Sequence, residues 1–161
     1  KNYQEMGSKP PSWQNVGQVF LLAISHLDFS GITRNFHAEG LEVYADPLLE
    51  KVFFHLMENV LLHGKHATEV TIRSSEKPDG LSLMIEDNGV GIPLEEKHMI
   101  FDRGYGRNAG LGLFLVREAL SITGMTIRET GEHGRGARFE IFVPKESYRY
   151  SEERPAGTGR S

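Results

Sequence analysis

Leu81-Ser82-Leu83-Met84-Ile85-Glu86-Asp87-Asn88-Gly89-Val90-Gly91-Ile92-Pro93 is the stretch on which the fold of this chain turns. Leu81, Leu83 and Ile85 alternate with the period of a strand that buries one face, and the strand runs straight into Asp87. The glycines that follow permit tight turns and the close approach of a flat ligand. An aspartate held there can accept a hydrogen bond from an exocyclic amine. Taken alone, Asp87-Asn88-Gly89-Val90-Gly91 fits an ordinary turn better than a site, since Asp, Asn and Gly are the preferred turn residues.

Upstream, Val70 and Ile72 mark a preceding strand, joined to the first by the turn Lys77-Pro78-Asp79-Gly80. Before it, Asp46-Pro47 predicts a helix start, with Asp capping free amides and Pro losing nothing at the first position; the helix should run to about His63, with Gly64 as its stop. Leu49, Val52, Phe53, Leu56 and Val60 form its core stripe, whereas Lys51, His55, Asn59 and His63 share another face. Asn59 is an uncharged oxygen ligand that can complete the shell of a Mg2+ already held by phosphates, although most helix-surface asparagines are simply solvated. Further upstream, Trp13 to Leu27 carries apolar residues at helical spacing. Ile32–His37 and Leu41–Ala45 predict a strand hairpin turning at Glu39-Gly40.

Downstream, a helical turn should follow Ile92-Pro93, then a glycine-rich loop and a helix from about Leu111 to Ile122 that ends near Gly124. Gly110-Leu111-Gly112-Leu113 falls where loop becomes helix, so backbone amides and the helix dipole there can hold a phosphate; a flexible loop before ordinary helix packing fits the same residues. It is not a P-loop, because no Gly-Lys-Ser/Thr follows. Met125–Glu129 and Ala137–Val143 predict two closing strands around the turn Gly131–Gly136. The organisation expected is a lead-in over 1–11, one domain over 12–144 and a polar, mobile tail over 145–161. Helices mix with hairpin-connected strands without strict alternation, which predicts an α/β two-layer sandwich.

Composition narrows the function. The 161 residues are 25% charged and 39% hydrophobic, enough for one domain with its own core. The chain has no cysteine, which excludes disulfides and thiolate metal sites and suits a cytoplasmic location. A net charge of -4 and no long Lys/Arg block give no footprint for nucleic acid or an anionic membrane. No apolar stretch is long enough to span a bilayer. His37, His66, His98 and His133 show no metal-ligand spacing, and no zinc site is expected.

The order of the motifs is more specific than any one of them. Glu58-Asn59 on a helix is followed by Asp87-x-Gly-x-Gly, Ile100-Phe101-Asp102-Arg103, Gly110-Leu111-Gly112-Leu113 and Gly134-Arg135-Gly136-Ala137-Arg138-Phe139. From about Leu41 to Pro144 this series closely resembles the histidine-kinase ATPase domain, whose N, G1, F, G2 and G3 boxes stand in the same order. The resemblance implies a Bergerat-type ATP-binding sandwich, a mixed and mostly antiparallel sheet packed against about three helices, shared with gyrase-type and mismatch-repair ATPases.

It also implies roles. Asp87 would meet adenine, with Gly89, Gly91 and Ile92 shaping its pocket. Asn59 would bind Mg2+, and the amides around Gly110, Leu111, Gly112 and Leu113 would hold the phosphates. Asp102 to Ala109 would form a lid, from which Arg103, Arg107 and Tyr105 reach the triphosphate while Phe101 packs its base. The pattern is broken at His55, where the family has Asn, at Leu62, where it has Lys or Arg, and at Ala137, where it has Thr. His63, one turn beyond Asn59, can substitute as a phosphate contact or simply stabilise the helix terminus. Glu58 is the sole carboxylate of the N box, and its helical angle points away from Asn59's.

The function so implied is transfer of the γ-phosphoryl group of ATP to a histidine on a separate dimerisation and phosphotransfer domain, with a response regulator downstream. The acceptor hairpin does not fit ahead of Trp13, so this stretch alone should be a monomer with little self-phosphorylation. Two alternatives stay open: a non-catalytic nucleotide-sensing module, and an ATP hydrolase of the same superfamily.

Overall fold

The structure, a computed structural model, describes residues 7–63, 66–102 and 111–151, without the side chains of His63 and Leu111. Eight strands and three helices are described: β1 Ser12–Asn15, α1 Val16–Ile24, β2 Thr33–His37, β3 Leu41–Ala45, α2 Leu49–His63, β4 Glu69–Lys77, β5 Gly80–Asp87, α3 Leu111–Ser121, β6 Thr126–Glu129, β7 Arg138–Pro144 and β8 Tyr148–Tyr150. Five strands form a mixed sheet in the order β2-β4-β5-β7-β6, and β1-β3-β8 form a second, smaller sheet. The α/β sandwich expected from the sequence is therefore present, with three helices on one face of the larger sheet.

Strand alternation decides which face that is. Val70 and Ile72 of β4, Leu81, Leu83 and Ile85 of β5, and Phe139, Ile141 and Val143 of β7 are buried in one core with the helices. Onto them pack Val16, Val19, Phe20, Ala23 and Ile24 of α1, Leu49, Val52, Phe53, Leu56 and Met57 of α2, and Val116, Ala119 and Leu120 of α3. Phe20 stands edge-on to Phe53 with ring centroids 6.3 Å apart. The opposite face is polar: Glu86 bridges Arg73 and Arg138, and Glu140 takes a hydrogen bond from Ser82 and an ion pair from Arg128. Such exposed pairs contribute about 0–1 kcal/mol each, so this face needs no covering layer.

The structure corrects three expectations. First, Trp13 and Gln14 are strand, not helix. The Asn15 side chain accepts from the Gln18 amide at 2.9 Å, a cap that starts α1 at Val16. Trp13 instead pairs with Tyr44 across the small sheet, with the Arg149 guanidinium 4.2 Å above its ring. Second, β2 and β3 are not a hairpin. They diverge at the Glu39-Gly40 turn into different sheets, β3 between β1 and β8, and β2 parallel to β4 through a crossover that contains α2.

Third, residues 145–150 do not belong to the tail expected over 145–161, of which residues 152–161 lie outside the described residues. Lys145–Ser147 makes a 3-10 turn and β8 pairs with β3, from Val43 opposite Tyr148 to Leu41 opposite Tyr150. Tyr148 and Tyr150 pack on the core despite their polar neighbours. Elsewhere the expected elements recur: β4 and β5 form the hairpin around Pro78-Asp79, a 3-10 turn occupies Leu94–Glu96, and α3 ends before Gly124, whose φ is +80°. Among the described residues no helix is long and apolar enough to cross a membrane.

Candidate functional site

The inward alternation of β5 places Asp87, two residues beyond Ile85, on the helix side of the sheet at the end of its central strand. Its backbone amide donates to Ala137 O at 2.9 Å. Its Oδ1 accepts from the amides of Gly89 at 2.8 Å and Ala137 at 3.3 Å. No described residue donates to Oδ2. Burial pushes the Asp87 pKa above the ordinary carboxylate value, while the two amide hydrogen bonds oppose the rise. A carboxylate with one oxygen anchored by backbone and the other open is a fixed acceptor for a ligand donor.

Two glycine loops interlock beside it. Gly136 has φ +138°, and a Cβ there would lie 1.9 Å from Asp87 O; Gly91 has φ +78°, and its Cβ would stand 3.0 Å from the carbonyls of Glu132 and Gly136. Only glycine lets these backbones approach so closely. The Gly134 amide closes the contact by donating to Val90 O at 2.7 Å. Ala137, which lacks the family's hydroxyl, is buried and meets Asp87 through its backbone amide.

On α2 the polar stripe turns toward α3. A Cβ on Gly112 would lie 3.4 Å from His55 Nδ1, so His55 abuts the first turn of α3. His55 Nδ1 is also 3.7 Å from Glu58 Oε1. Burial pushes its pKa below the usual histidine value, opposed by Glu58 and reinforced by Lys51. Asn59 lies one turn further along the same face. No acidic side chain occupies the first turn of α3 to neutralise its positive end. Leu62 is exposed and brings no charge, and His63 is the last residue of α2.

Ile92 and Leu113 pack against the core, and Phe101 is buried edge-on to Phe139, with centroids 6.2 Å apart. Gly89 is buried, Leu111 and Gly112 open α3, and Glu58 is half-buried. Arg103, Tyr105, Arg107 and Gly110 lie outside the described residues. A cleft of about 340 Å³ opens at the end of β5, lined by Asp87 itself with Gly136 and Ala137 and, toward the polar face, by Glu69, Thr71, Glu86, Arg135 and Arg138 among others. Within it Glu86 is paired with Arg73 and Arg138, Glu69 accepts from Asn35, and neither His55 nor Asn59 is among the lining residues.

The sequence reading did not single out Glu129. Ile127 and Glu129 alternate inward on β6, and a carboxylate at a core-facing strand position requires a partner, which was a legible signal. The partner, Lys97, sits in the turn after Pro93 and carried no such signal.

Comparison with known proteins places this geometry. A family model described as histidine kinase-, DNA gyrase B-, and HSP90-like ATPase matches residues 45–147. The alginate biosynthesis sensor protein KinB of Pseudomonas aeruginosa is 34% identical over 101 residues, covering 60% of this chain and 17% of KinB. The chain spans between 12% and 24% of the curated sensor proteins first matched. Among solved structures, the mycobacterial sensor histidine kinase MprB superposes with a TM-score of 0.73 at 21% identity, over 83% of this chain and 97% of that one. Full-length ShkA in complex with AMPPNP gives 0.68 at 21% identity, over 88% of this chain and 34% of ShkA. At such identities the likeness concerns the fold.

Proposed function

The chain belongs to the histidine kinase-, DNA gyrase B-, and HSP90-like ATPase family, and we propose that it binds Mg-ATP and donates the γ-phosphoryl group to a histidine on a separate dimerisation domain. The observation that carries this is Asp87: Oδ1 is saturated by two backbone amides, Oδ2 is left open, and glycine loops interlock beside it inside the matched region. A planar base bearing an amine fits that acceptor. The described strands and helices of this unit run from β1 at Ser12 to β8 at Tyr150.

In this reading Asp87 Oδ2 accepts from the 6-amino group of adenine, and Gly89, Gly91 and Ile92 wall the ring. Burial around Asp87 excludes competing water and strengthens that bond. Asn59 offers one neutral oxygen ligand, which fits a Mg2+ completed by phosphates and water. Bound there, Mg2+ neutralises charge on the transferring group. The first-turn amides of α3 at Leu111, Gly112 and Leu113, with Gly110, face the phosphates, and His55 adds a neutral imidazole beside them. Arg103, Tyr105 and Arg107 belong to the lid, and His63 supplements the N box. Catalysis is mostly positioning: the acceptor imidazole nitrogen attacks phosphorus in line and ADP leaves.

A second reading, nucleotide sensing without transfer, is favoured by the exposed, uncharged Leu62 and by His55. The test is autophosphorylation of the full-length protein with γ-labelled Mg-ATP. Acid-labile, base-stable label that is lost in Asp87→Asn supports transfer. Tight Mg-ATP binding with no label supports the sensor, and label unchanged by Asp87→Asn contradicts the assigned pocket.

A further inference from the structure

Glu129 ends β6 with its side chain wholly buried. Its Oε2 accepts from the amides of Gly131 at 3.1 Å and Arg138 at 2.9 Å. Its Oε1 accepts from Lys97 Nζ, which also donates to Gly131 O at 3.0 Å. Lys97 is itself only 18% exposed, and it stands between Pro93 and the buried pair Ile100-Phe101. The ion pair therefore ties two pieces of chain with no covalent reason to stay together. One is the segment that leaves Gly91 and runs to Phe101. The other is the glycine loop 131–136, which presses on Asp87 and ends at Ala137.

A buried ion pair is a poor source of net stability, because desolvation of both charges offsets their attraction; an apolar pair of similar volume does as well or better. Its distinctive property is geometric, since a buried charge tolerates only one arrangement of its partners. Here that arrangement pins both ends of the glycine loop, at Gly131 and at Arg138, and the Ala137 amide beside Arg138 donates to Asp87 Oδ1.

We propose that Lys97 and Glu129 are positioning residues for the nucleotide, keeping the glycine loop 131–136 in the register at which the Ala137 amide holds the Asp87 carboxylate toward the adenine amine. The proposal rests on the ATP reading above. The test measures Mg-ATP affinity by calorimetry and melting temperature for the wild type, Lys97→Arg, Lys97→Met, Glu129→Leu and the Lys97→Met/Glu129→Leu double variant. Lys97→Met is expected to weaken ATP binding by about tenfold, within the range of coupling between neighbouring groups, and Lys97→Arg to retain affinity within about threefold. The double variant, which leaves no buried charge, is expected to recover the melting temperature but not the affinity, an outcome that a merely structural pair would not give. Should a single variant fail to fold, the double variant carries the test. Wild-type affinity in Lys97→Met or in the double variant overturns the positioning role alone. A wild type that does not bind Mg-ATP overturns the ATP reading and this role with it.

Discussion

Gly136→Ala puts the interlock of the two glycine loops under direct load. The added Cβ would fall 1.9 Å from Asp87 O, against a floor near 3.0 Å, so one backbone must retreat by about 1 Å. Retreat severs or stretches three hydrogen bonds: Asp87 N to Ala137 O, Ala137 N to Asp87 Oδ1, and Gly134 N to Val90 O. At about 1 kcal/mol each, plus about 1 kcal/mol for a side chain at φ +138°, the substitution costs about 4 kcal/mol. Gly134→Ala is the internal control, because its φ is +95° but its Cβ would meet nothing within 4 Å, leaving only the backbone cost of about 1 kcal/mol. For a chain of this size the expected falls in melting temperature are about 8–16 °C and about 2–4 °C respectively. Thermal unfolding followed by circular dichroism reads both. Equal melting temperatures for the two variants would refute the interlock and the anchoring of Asp87 that depends on it.

Asp87→Asn should leave the fold as stable as the wild type at neutral pH. Its carboxyl pKa is raised in the folded state, so the folded protein holds the proton more tightly than the unfolded chain. Its contribution to stability therefore falls as pH rises through that raised value, and a pH series of melting curves should show this slope in the wild type and lose it in the variant. His55 behaves oppositely: its pKa is lowered, so its contribution is present above the ordinary value of 6.5 and is lost as pH falls toward the lowered one. His55→Asn should flatten the melting temperature profile on that acid side; an unchanged slope would contradict the burial of His55 against α3. Removing residues beyond Pro144 deletes β8 and two half-buried tyrosines, with an expected loss of about 2–3 kcal/mol and about 4–12 °C in melting temperature. A truncated chain that melts with the wild type would mark β8 as dispensable.

The larger sheet and its helices were legible because burial imposes a period. Leu81, Leu83 and Ile85 alternate, and Leu49, Val52, Phe53 and Leu56 recur at helical spacing, so each element declares the face it must hide. What period cannot declare is which strand pairs with which. The Glu39-Gly40 turn reads like a hairpin, yet β2 and β3 separate because β2 finds its partner in β4, beyond the whole of α2. Trp13 was misread because its apolar ring continues the helical stripe of α1, while the Asn15 side chain, which sets the boundary, weighs little in a hydrophobicity pattern. β8 was missed because Tyr148 and Tyr150 stand among Lys, Glu, Arg and Ser, and long-range contacts with β3, with β4 and with the core half-bury them.

The candidate site was legible in its motifs and not in its contacts. Asp87 and the glycines announce themselves as turn chemistry at a strand end. That Gly136 rather than a side chain presses on Asp87, and that His55 faces Gly112, depends on long-range packing between elements with no local signature. The Lys97–Glu129 pair lies between these cases, since the inward Glu129 demands a partner but nothing local names Lys97.

Calorimetric titration of Mg-ATP into the wild-type chain and into Asp87→Asn tests most directly whether Asp87 is the adenine acceptor. Loss of a hydrogen bond to a charged, buried acceptor is worth about 2–3 kcal/mol, so one-site binding by the wild type should weaken by about 30- to 150-fold in the variant. Equal affinity in the two proteins, or no binding by the wild type, would contradict the assignment of this site to ATP.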